Sequence, residues 1–449
     1  MANKYKLNDD LVNEVVSDVL SDCMLPLFPY EAVDSKNKLR VLSLFSGCGG
    51  MDIGFEGGFI CHRKSINPKN DWIEETLNTN WVRLKETNFT TVFANDILEE
   101  AKSTWSSYMS KRGHSSDLYR LESIVDIVKR HQHGFDEFPE NIDVVTGGFP
   151  CQDFSVAGKR KGFDSNKDHN GKLRMENAPS EETRGKLYFW MKQVIDITKP
   201  KIFIAENVKG LVNLGDVKNI IQKDFASADD NGYIVLTPQV LHAADFGVPE
   251  SRERVIFIGI RKDVLRPEAL KALENEVLPP KYNPYPSPTH AYSNDYKGLV
   301  EPVVCGDVFQ GLLEPDFTSD LSQKYYSKAK YMGNHCQGQK EISLNKIGPT
   351  IRSEHHGNIE FRRLSLEHGG LIEQELSAGL PERRLTPREC ALIQTFPPDY
   401  SFVRYKPYSK SKFCVSSSKA YKVIGNAVPP ILAYNIAMRI QTLWNLYFK

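Results

Sequence analysis

The sequence predicts an α/β protein: a doubly wound, mainly parallel sheet, followed by a smaller, irregular region. Three observations carry this. Apolar runs at Leu39–Leu44, Thr91–Ala94, Ile142–Thr146, Lys201–Ala205 and Val255–Ile260 alternate with helical stretches, the pattern of strands joined by helical crossovers. The first run leads into a glycine-rich loop and then a helix, an arrangement that cradles ligands. After about residue 264 the alternation stops, proline becomes dense between Pro267 and Pro288, and helical periodicity returns only at Arg388–Thr395 and Pro430–Leu446.

Composition narrows the function. A chain of 449 residues can hold two or three domains and a core that needs no disulfide staples. Lys plus Arg and Asp plus Glu each total 57. A zero net charge argues against a surface that attracts polyanions everywhere, and it is compatible with a local basic cleft. The eight cysteines are scattered without a Cys-x-x-Cys pair, so neither a zinc site nor a redox motif is indicated, and a reducing cytoplasm is the natural setting. No apolar run reaches transmembrane length and the start lacks a secretory h-region.

Residues 1–36 are acidic, with Leu11, Val12, Val15, Val16, Val19 and Leu20 at helical spacing, and are expected to form a helix docked on the main body. The first strand ends in Phe45-Ser46-Gly47-Cys48-Gly49-Gly50. A dinucleotide fingerprint starting at Gly47 needs a glycine at 52, where Asp52 stands, which weakens a nicotinamide reading. Asp96 ends the second strand, where an acid either holds ribose hydroxyls or caps a helix. The third strand runs into Gly147-Gly148-Phe149-Pro150-Cys151-Gln152-Asp153-Phe154-Ser155. That puts a thiol at the carboxyl end of a buried strand, outside which open α/β sheets bind ligands, although a lone cysteine is more often a small buried hydrophobe. Glu206-Asn207 closes the apolar run Ile202-Phe203-Ile204-Ala205; a carboxyl so poorly solvated should have a raised pKa and serve as an acid near neutrality. In Glu250-Ser251-Arg252-Glu253-Arg254 two guanidinium groups share a face if the chain is extended, a pair suited to phosphate or carbonyl oxygens. From Arg404 to Lys422 there are six basic residues and no acidic one, interleaved with Tyr405, Tyr408, Phe413 and Tyr421, which fits a phosphate-contacting strip. His355-His356 is not expected to bind metal, because adjacent side chains diverge and no ligand cluster accompanies them.

Together these residues resemble the DNA (cytosine-5) methyltransferase family. The likeness lies in Phe45-Ser46-Gly47-Cys48-Gly49-Gly50, Pro150-Cys151-Gln152, Glu206-Asn207-Val208, Arg252-Glu253-Arg254, Arg384-Leu385-Thr386-Pro387-Arg388-Glu389-Cys390 and Gly425-Asn426-Ala427-Val428, in the family's order. The resemblance implies a Rossmann-like S-adenosylmethionine-dependent catalytic domain at 37–263, a target-recognition domain and hinge at 264–422, and a C-terminal segment, 423–449, that returns to the catalytic domain. Cys151 would attack C6 of cytosine, helped to ionise by nearby positive charge. Glu206 would engage N3, Arg254 would contact O2 or the nearby backbone, and Arg252 would support it. Phe45, Gly47, Cys48, Gly50, Asp96, Ile97, Pro150, Leu187, Asn426 and Val428 would bind S-adenosylmethionine, with S-adenosylhomocysteine as product and no metal. Gln152, Ser155, Lys159, Arg160, Lys161, Arg352, His355, His356 and Asn358 would face double-stranded DNA.

The implied protein is a cytoplasmic monomer that methylates a short duplex site, as the protective partner of a restriction endonuclease that shares the site without needing to bind. The rivals are a tRNA cytosine methyltransferase, a catalytically silent DNA-binding regulator and a nicotinamide oxidoreductase. The length of the 264–385 stretch favours DNA over tRNA, and the intact Cys151, Glu206, Arg252 and Arg254 argue against decay. The chain departs from the family at Asp96, commonly glutamate, and at Glu250, commonly glutamine. It has extra length between Phe59 and Thr90 and between about 165 and 183. The acid expected after the next strand is left open, with Ser123 or Asp126 in its region.

Overall fold

The computed structural model describes residues 38–150, 187–213, 216–293, 298–353, 359–409 and 411–448. The N-terminal helix expected within 1–36 lies outside these, as do Cys151, Gln152, Ser155, Lys159, Arg160, Lys161, His355, His356 and Asn358.

The expected strands are all present, several with shifted ends. The chain forms β1 (Leu39–Leu44), then three strands of a small separate sheet, β2 (Ile60–His62), β3 (Ile73–Thr76) and β4 (Trp81–Leu84), then β5 (Phe89–Asp96), β6 (Tyr119–Leu121), β7 (Val144–Gly148), β8 (Ile202–Val208), β9 (Tyr233–Val235), β10 (Gln239–His242) and β11 (Glu253–Arg261). The main sheet has the order β10-β11-β8-β7-β1-β5-β6, with β9 also paired to β11. β1 is parallel to both β5 and β7, and β7 is parallel to β8. β11 runs antiparallel to β8. The extra length before Thr90 is the antiparallel sheet β2-β4-β3, and it leaves the pairing of Leu39 with Phe89 in place.

Alternation along the central strands explains why they read as unbroken apolar runs. Val41, Val144, Ile202, Ile204, Ile256, Ile258 and Ile260 join one apolar cluster. Leu42, Leu44, Val145, Phe203, Ala205, Val255 and Phe257 join another, on the opposite face. A strand covered on both faces has no polar side to show. Helices α1 (Gly50–Glu56) and α2 (Glu99–Met109) supply the first cluster, while α3 (Ile124–Gln132), α4 (Leu187–Thr198) and α5 (Val217–Ala226) supply the second.

Beyond α6 (Pro267–Leu273), the described residues up to 382 hold only helices of five residues or fewer and one strand, β12 (Phe361–Arg363). β13 (Arg383–Arg384) pairs with β12 and leads into α7 (Pro387–Ile393). The hairpin β14–β15 (Arg404–Tyr405, Phe413–Val415) precedes α8 (Ser417–Asn426) and the terminal helix α9 (Pro430–Tyr447). Helix α9 packs on α1, and the backbone N–H of Arg266 donates to the Tyr447 carbonyl.

The α1–α9 contact depends on Gly54. A Cβ there would lie 2.4 Å from Ala433 Cβ and 2.5 Å from the Pro430 carbonyl. Replacing a helical glycine by alanine ordinarily gains about 1 kcal/mol, but overpacking against backbone costs about 1–3 kcal/mol. Gly54→Ala is therefore expected to lower stability in urea unfolding; a gain would show that the helices can separate without loss.

Candidate active site

Strand order reverses at β1: the chain adds β5 and β6 on one side, then β7 and β8 on the other. Such a reversal opens a crevice at the carboxyl ends of the strands, where ligands bind. Here the crevice lies between the loop after β1, residues 45–50, and the end of β7 at Phe149-Pro150. Cys151, the next residue, lies outside the described residues.

The glycine-rich loop is braced from beneath. Phe45, which is not glycine, is held at φ 52°, a left-handed conformation that side chains rarely adopt without surrounding support. The Ser46 hydroxyl donates to the Ser43 hydroxyl at 2.8 Å, and the Ser43 hydroxyl donates to Asp52 Oδ1 at 2.6 Å. The Trp105 indole N–H donates to Asp52 Oδ2 at 2.7 Å. Asn95 N–H donates to the Ser46 hydroxyl, and the Tyr119 hydroxyl donates to the Gly47 carbonyl. Asp52 is thus the anchor of the loop. Burial pushes its carboxyl up to about 6, against the pull of the Ser43 and Trp105 hydrogen bonds.

Asp96 sits beside this loop. One of its oxygens accepts from Gly47 N–H at 3.1 Å and the other from Leu98 N–H at 3.0 Å. Burial raises its carboxyl, opposed by those backbone bonds. Helix α2 is capped at Leu98, so Asp96 is not its N-cap. A carboxylate has about four lone-pair sites, and the Leu98, Gly47 and Ile97 N–H groups do not fill them all. Ile97 is exposed. Cys48 is buried and donates to the Val423 carbonyl, and burial drives its thiol well up. The carbonyl of Val428 lies directly over Gly50, so the distant segment 426–428 forms a rim of the same crevice. Asn426 is exposed on that rim. Leu187 is buried at the start of α4, in the same cluster as Phe149 and Leu44.

On the other side of the crevice, Glu206 in β8 is paired in register with Gly148 of β7. A Cβ at Gly148 would sit 2.8 Å from Glu206 Oε2, so the glycine leaves room for the carboxylate. Glu206 is buried, as expected, but it is not isolated: Arg254 Nε lies 2.6 Å from Oε1. The expectation of a solitary carboxyl in apolar surroundings overlooked this partner. Asn207, quoted in the motif without a role, donates through its amide to the Phe149 carbonyl at 3.1 Å, fixing the turn from which Cys151 follows.

Arg252, just before β11, is fully buried and close enough to Arg254 for the two charges to interact. Its guanidinium donates to the carbonyls of Ile351 at 3.2 Å, Gly425 at 3.0 Å and Ala427 at 2.7 Å. Burial, then the nearby Arg254, lowers it to about 10. In the region where an acid was left open, Glu122 immediately follows β6 and pairs with Arg120 and Arg130; Ser123 caps α3, and Asp126 lies in its first turn.

Arg352 donates weakly to Gln337 at 3.4 Å, next to residues 354–358, which lie outside the description. In the basic strip, Lys419 and Lys422 both pair with Glu100, and Arg404 donates to the Ser103 carbonyl. Lys406 and Lys412 have no ion pair among the described residues, and Tyr408 at the hairpin tip is exposed. Also among the described residues, no group of three His, Cys, Asp or Glu side chains could hold a metal ion.

A family model described as C-5 cytosine-specific DNA methylase matches residues 39–442. The type II methyltransferase M.BsuRI of Bacillus subtilis is 31% identical over 417 residues, spanning 91% of this chain and 81% of that protein. M.HpaII of Haemophilus parainfluenzae is 27% identical, spanning 96% of this chain and 100% of its own. The methyltransferase EhMeth of Entamoeba histolytica superposes with a TM-score of 0.50 at 16% identity over 91% of this chain and 99% of its own, a likeness of fold.

The Asp52 anchor predicts a pH signature. Its carboxyl titrates at about 6 in the folded chain and near 3.9 in an unfolded one. The folded state therefore holds the extra proton between those values, and stability falls as pH rises through that window. Relative to Asp52→Asn, the wild type should lose about 2–3 kcal/mol of unfolding free energy between about pH 4 and pH 6, and nothing further above it. Parallel urea-unfolding curves for the two proteins across that window would contradict the assignment.

Proposed function

We propose, because the chain belongs to the C-5 cytosine-specific DNA methylase family, that it extrudes a cytosine from a short duplex site and attacks it with Cys151. Members of that family are DNA cytosine-5 methyltransferases, and so is this chain. The observation that carries the finer reading is the cross-strand pairing of Gly148 with Glu206. It sets a buried, Arg254-clamped carboxyl beside the strand end from which Cys151 follows.

The family's use of S-adenosylmethionine fits the residues present. Asp96 keeps lone pairs free for ribose hydroxyls, Phe45 is held in a strained conformation at the crevice, and the rim at 426–428 closes over Gly50. When bound, the cofactor supplies a sulfonium methyl group, an electrophile within reach of a carbon nucleophile. The protein's task is to make C5 of cytosine that nucleophile. The Cys151 thiolate forms a bond to C6, and the electron pair of the C5–C6 double bond moves to C5. Glu206 hydrogen-bonds or protonates N3 and draws charge off the ring as the thiolate adds. Arg254 holds Glu206 in place and presents its remaining N–H groups to O2. After C5 is methylated, loss of its proton restores the double bond and expels the thiolate. Flipping the base costs a few kcal/mol, and the basic residues 159–161 would hold the opened DNA. In this reading 37–263 with 423–449 is the catalytic unit and 264–422 reads the site. The methylated site would then resist a cognate endonuclease, as befits a relative of type II methyltransferases.

Bisulfite sequencing of plasmid DNA from cells expressing the chain should show protected cytosines within one short sequence. A fully converted plasmid would overturn the reading, and protection confined to tRNA would favour the tRNA alternative. Cys151→Ser should abolish transfer while calorimetry still detects cofactor binding; turnover by that variant would exclude the covalent step. Arg254→Ala removes a buried donor and leaves Glu206 unpaired, so kcat should fall by about 100-fold or more, read by transfer of labelled methyl groups.

A further inference from the structure

The extra sheet β2-β4-β3 is wedged between the terminal helix and the stretch by which the chain enters the 264–422 region. On one side it rests on α9. Trp72 and Phe59 each meet the Tyr434 ring edge-on, at 5.4 Å and 5.9 Å, and the Tyr434 hydroxyl donates to the Lys85 carbonyl at 3.1 Å. On the other side Asn67, which is buried, donates through its amide to the carbonyls of Thr289 at 3.0 Å and Gly298 at 2.9 Å. Its Oδ1 accepts from Lys69 N–H, so both amide hydrogens cross the junction. His290 is 0% exposed, with Nε2 at 2.8 Å from the Lys64 carbonyl. A carbonyl only accepts, so Nε2 carries the proton and Nδ1 accepts from the Thr289 hydroxyl.

A third element joins at Gly247, whose φ is 87°. A Cβ there would lie 2.2 Å from the Ser65 carbonyl oxygen and 2.7 Å from His290 Cε1. The Asp245 carbonyl accepts from both Thr289 and His290 N–H. The insert, the 289–290 backbone and the loop ahead of β11 therefore share one buried contact. Displacing Thr289 or Gly298 would strip acceptors from a buried amide that water does not reach. The Lys64–Asp307 pair beside it has an exposed lysine and contributes little. The insert is a poor surface for DNA itself, since β3 turns Glu74, Glu75 and Thr76 to solvent and carboxylates repel phosphate. Its contribution lies in the free protein. A region already held where its ligand needs it has no ordering cost left at binding, and where only a fraction of molecules hold that arrangement the apparent affinity falls by that fraction.

We infer that the 60–86 insert is a strut that holds the 264–422 region in its DNA-competent place before DNA arrives, with Asn67 and His290 as positioning residues. This rests on the reading that 264–422 contacts duplex DNA.

The test is binding of labelled, unmethylated duplex fragments amplified from plasmid to the full-length chain across a salt series, beside calorimetry with S-adenosylhomocysteine. Asn67→Ala should weaken DNA binding at least fivefold and hold S-adenosylhomocysteine within twofold of the wild type. The slope of log affinity against log salt should stay the same, because the bound complex keeps its phosphate contacts. A role confined to folding would lower the calorimetric stoichiometry and leave both affinities unchanged, which overturns the inference. Equal weakening of both ligands overturns it as a general distortion, and a shallower salt slope overturns it by showing that the insert touches DNA directly. Should Asn67→Ala fail to fold, Asn67→Ser, which keeps one donor, decides the matter: DNA weakened at least twofold at the same slope supports the strut, and unchanged affinity refutes it. A wild type that binds no DNA overturns the proposed function together with the strut, whereas a wild type and Asn67→Ala that bind equally well overturn the strut alone.

Discussion

Strand β1 is hydrogen-bonded to β5 on one side and to β7 on the other, and the crossovers that follow leave towards opposite edges of the sheet. The reversal opens a gap at the carboxyl ends of β1 and β7. The loop after β1 borders it on one side and Phe149-Pro150 on the other. Glu206 reaches the same gap only because β8 is parallel to β7 with Gly148 opposite it. A slip of one residue would turn that carboxyl to the other face of the sheet.

The ionisable groups behind this gap are satisfied from within the protein. Burial alone would raise the Glu56 carboxyl, but His114, Arg112 and the Thr91 N–H hold it down at about 2, while Glu56 in turn raises His114 against its burial. Asp52, about one helical turn nearer the loop, is hydrogen-bonded only by neutral donors and goes the other way. The contrast has a physical reason. A carboxylate with cationic partners keeps its charge inside a core, and one held by hydroxyl and indole N–H groups keeps it less readily.

Much of this was legible in the sequence, and the misses are instructive. Strand ends at Leu44, Gly148 and Glu206 could be read because apolar runs buried on both faces stop abruptly at loops. Asp52 was visible only as a missing glycine; its role as an anchor needed Trp105 and Ser43, residues from other elements. Arg252 and Arg254 look equivalent two positions apart, yet Arg252 donates to three backbone carbonyls and Arg254 pairs with Glu206. No periodicity reports that difference. The packing of 426–428 over Gly50 followed from motif order but not from any local signal, since 375 residues separate Cys48 from Val423.

The region after residue 264 was least legible, because its order comes from charge rather than from a repeating apolar pattern. Arg383 donates to Glu389 at 2.8 Å and to Glu314 at 2.9 Å, and Arg363 pairs with Glu314 and Glu375, all with the arginines buried. Glu389 has a second task. With Thr386 as N-cap and Pro387 at the first helical position it closes a capping box on α7. An N-cap is worth about 1 kcal/mol, whereas stripping one partner from a buried pair costs about 3–5 kcal/mol. The ionic role therefore outweighs the capping role at that residue. A stretch with almost no regular structure can hold a fixed shape on these terms, since each buried guanidinium demands its acceptors in one arrangement, and that arrangement fixes β12, β13 and α7 relative to one another.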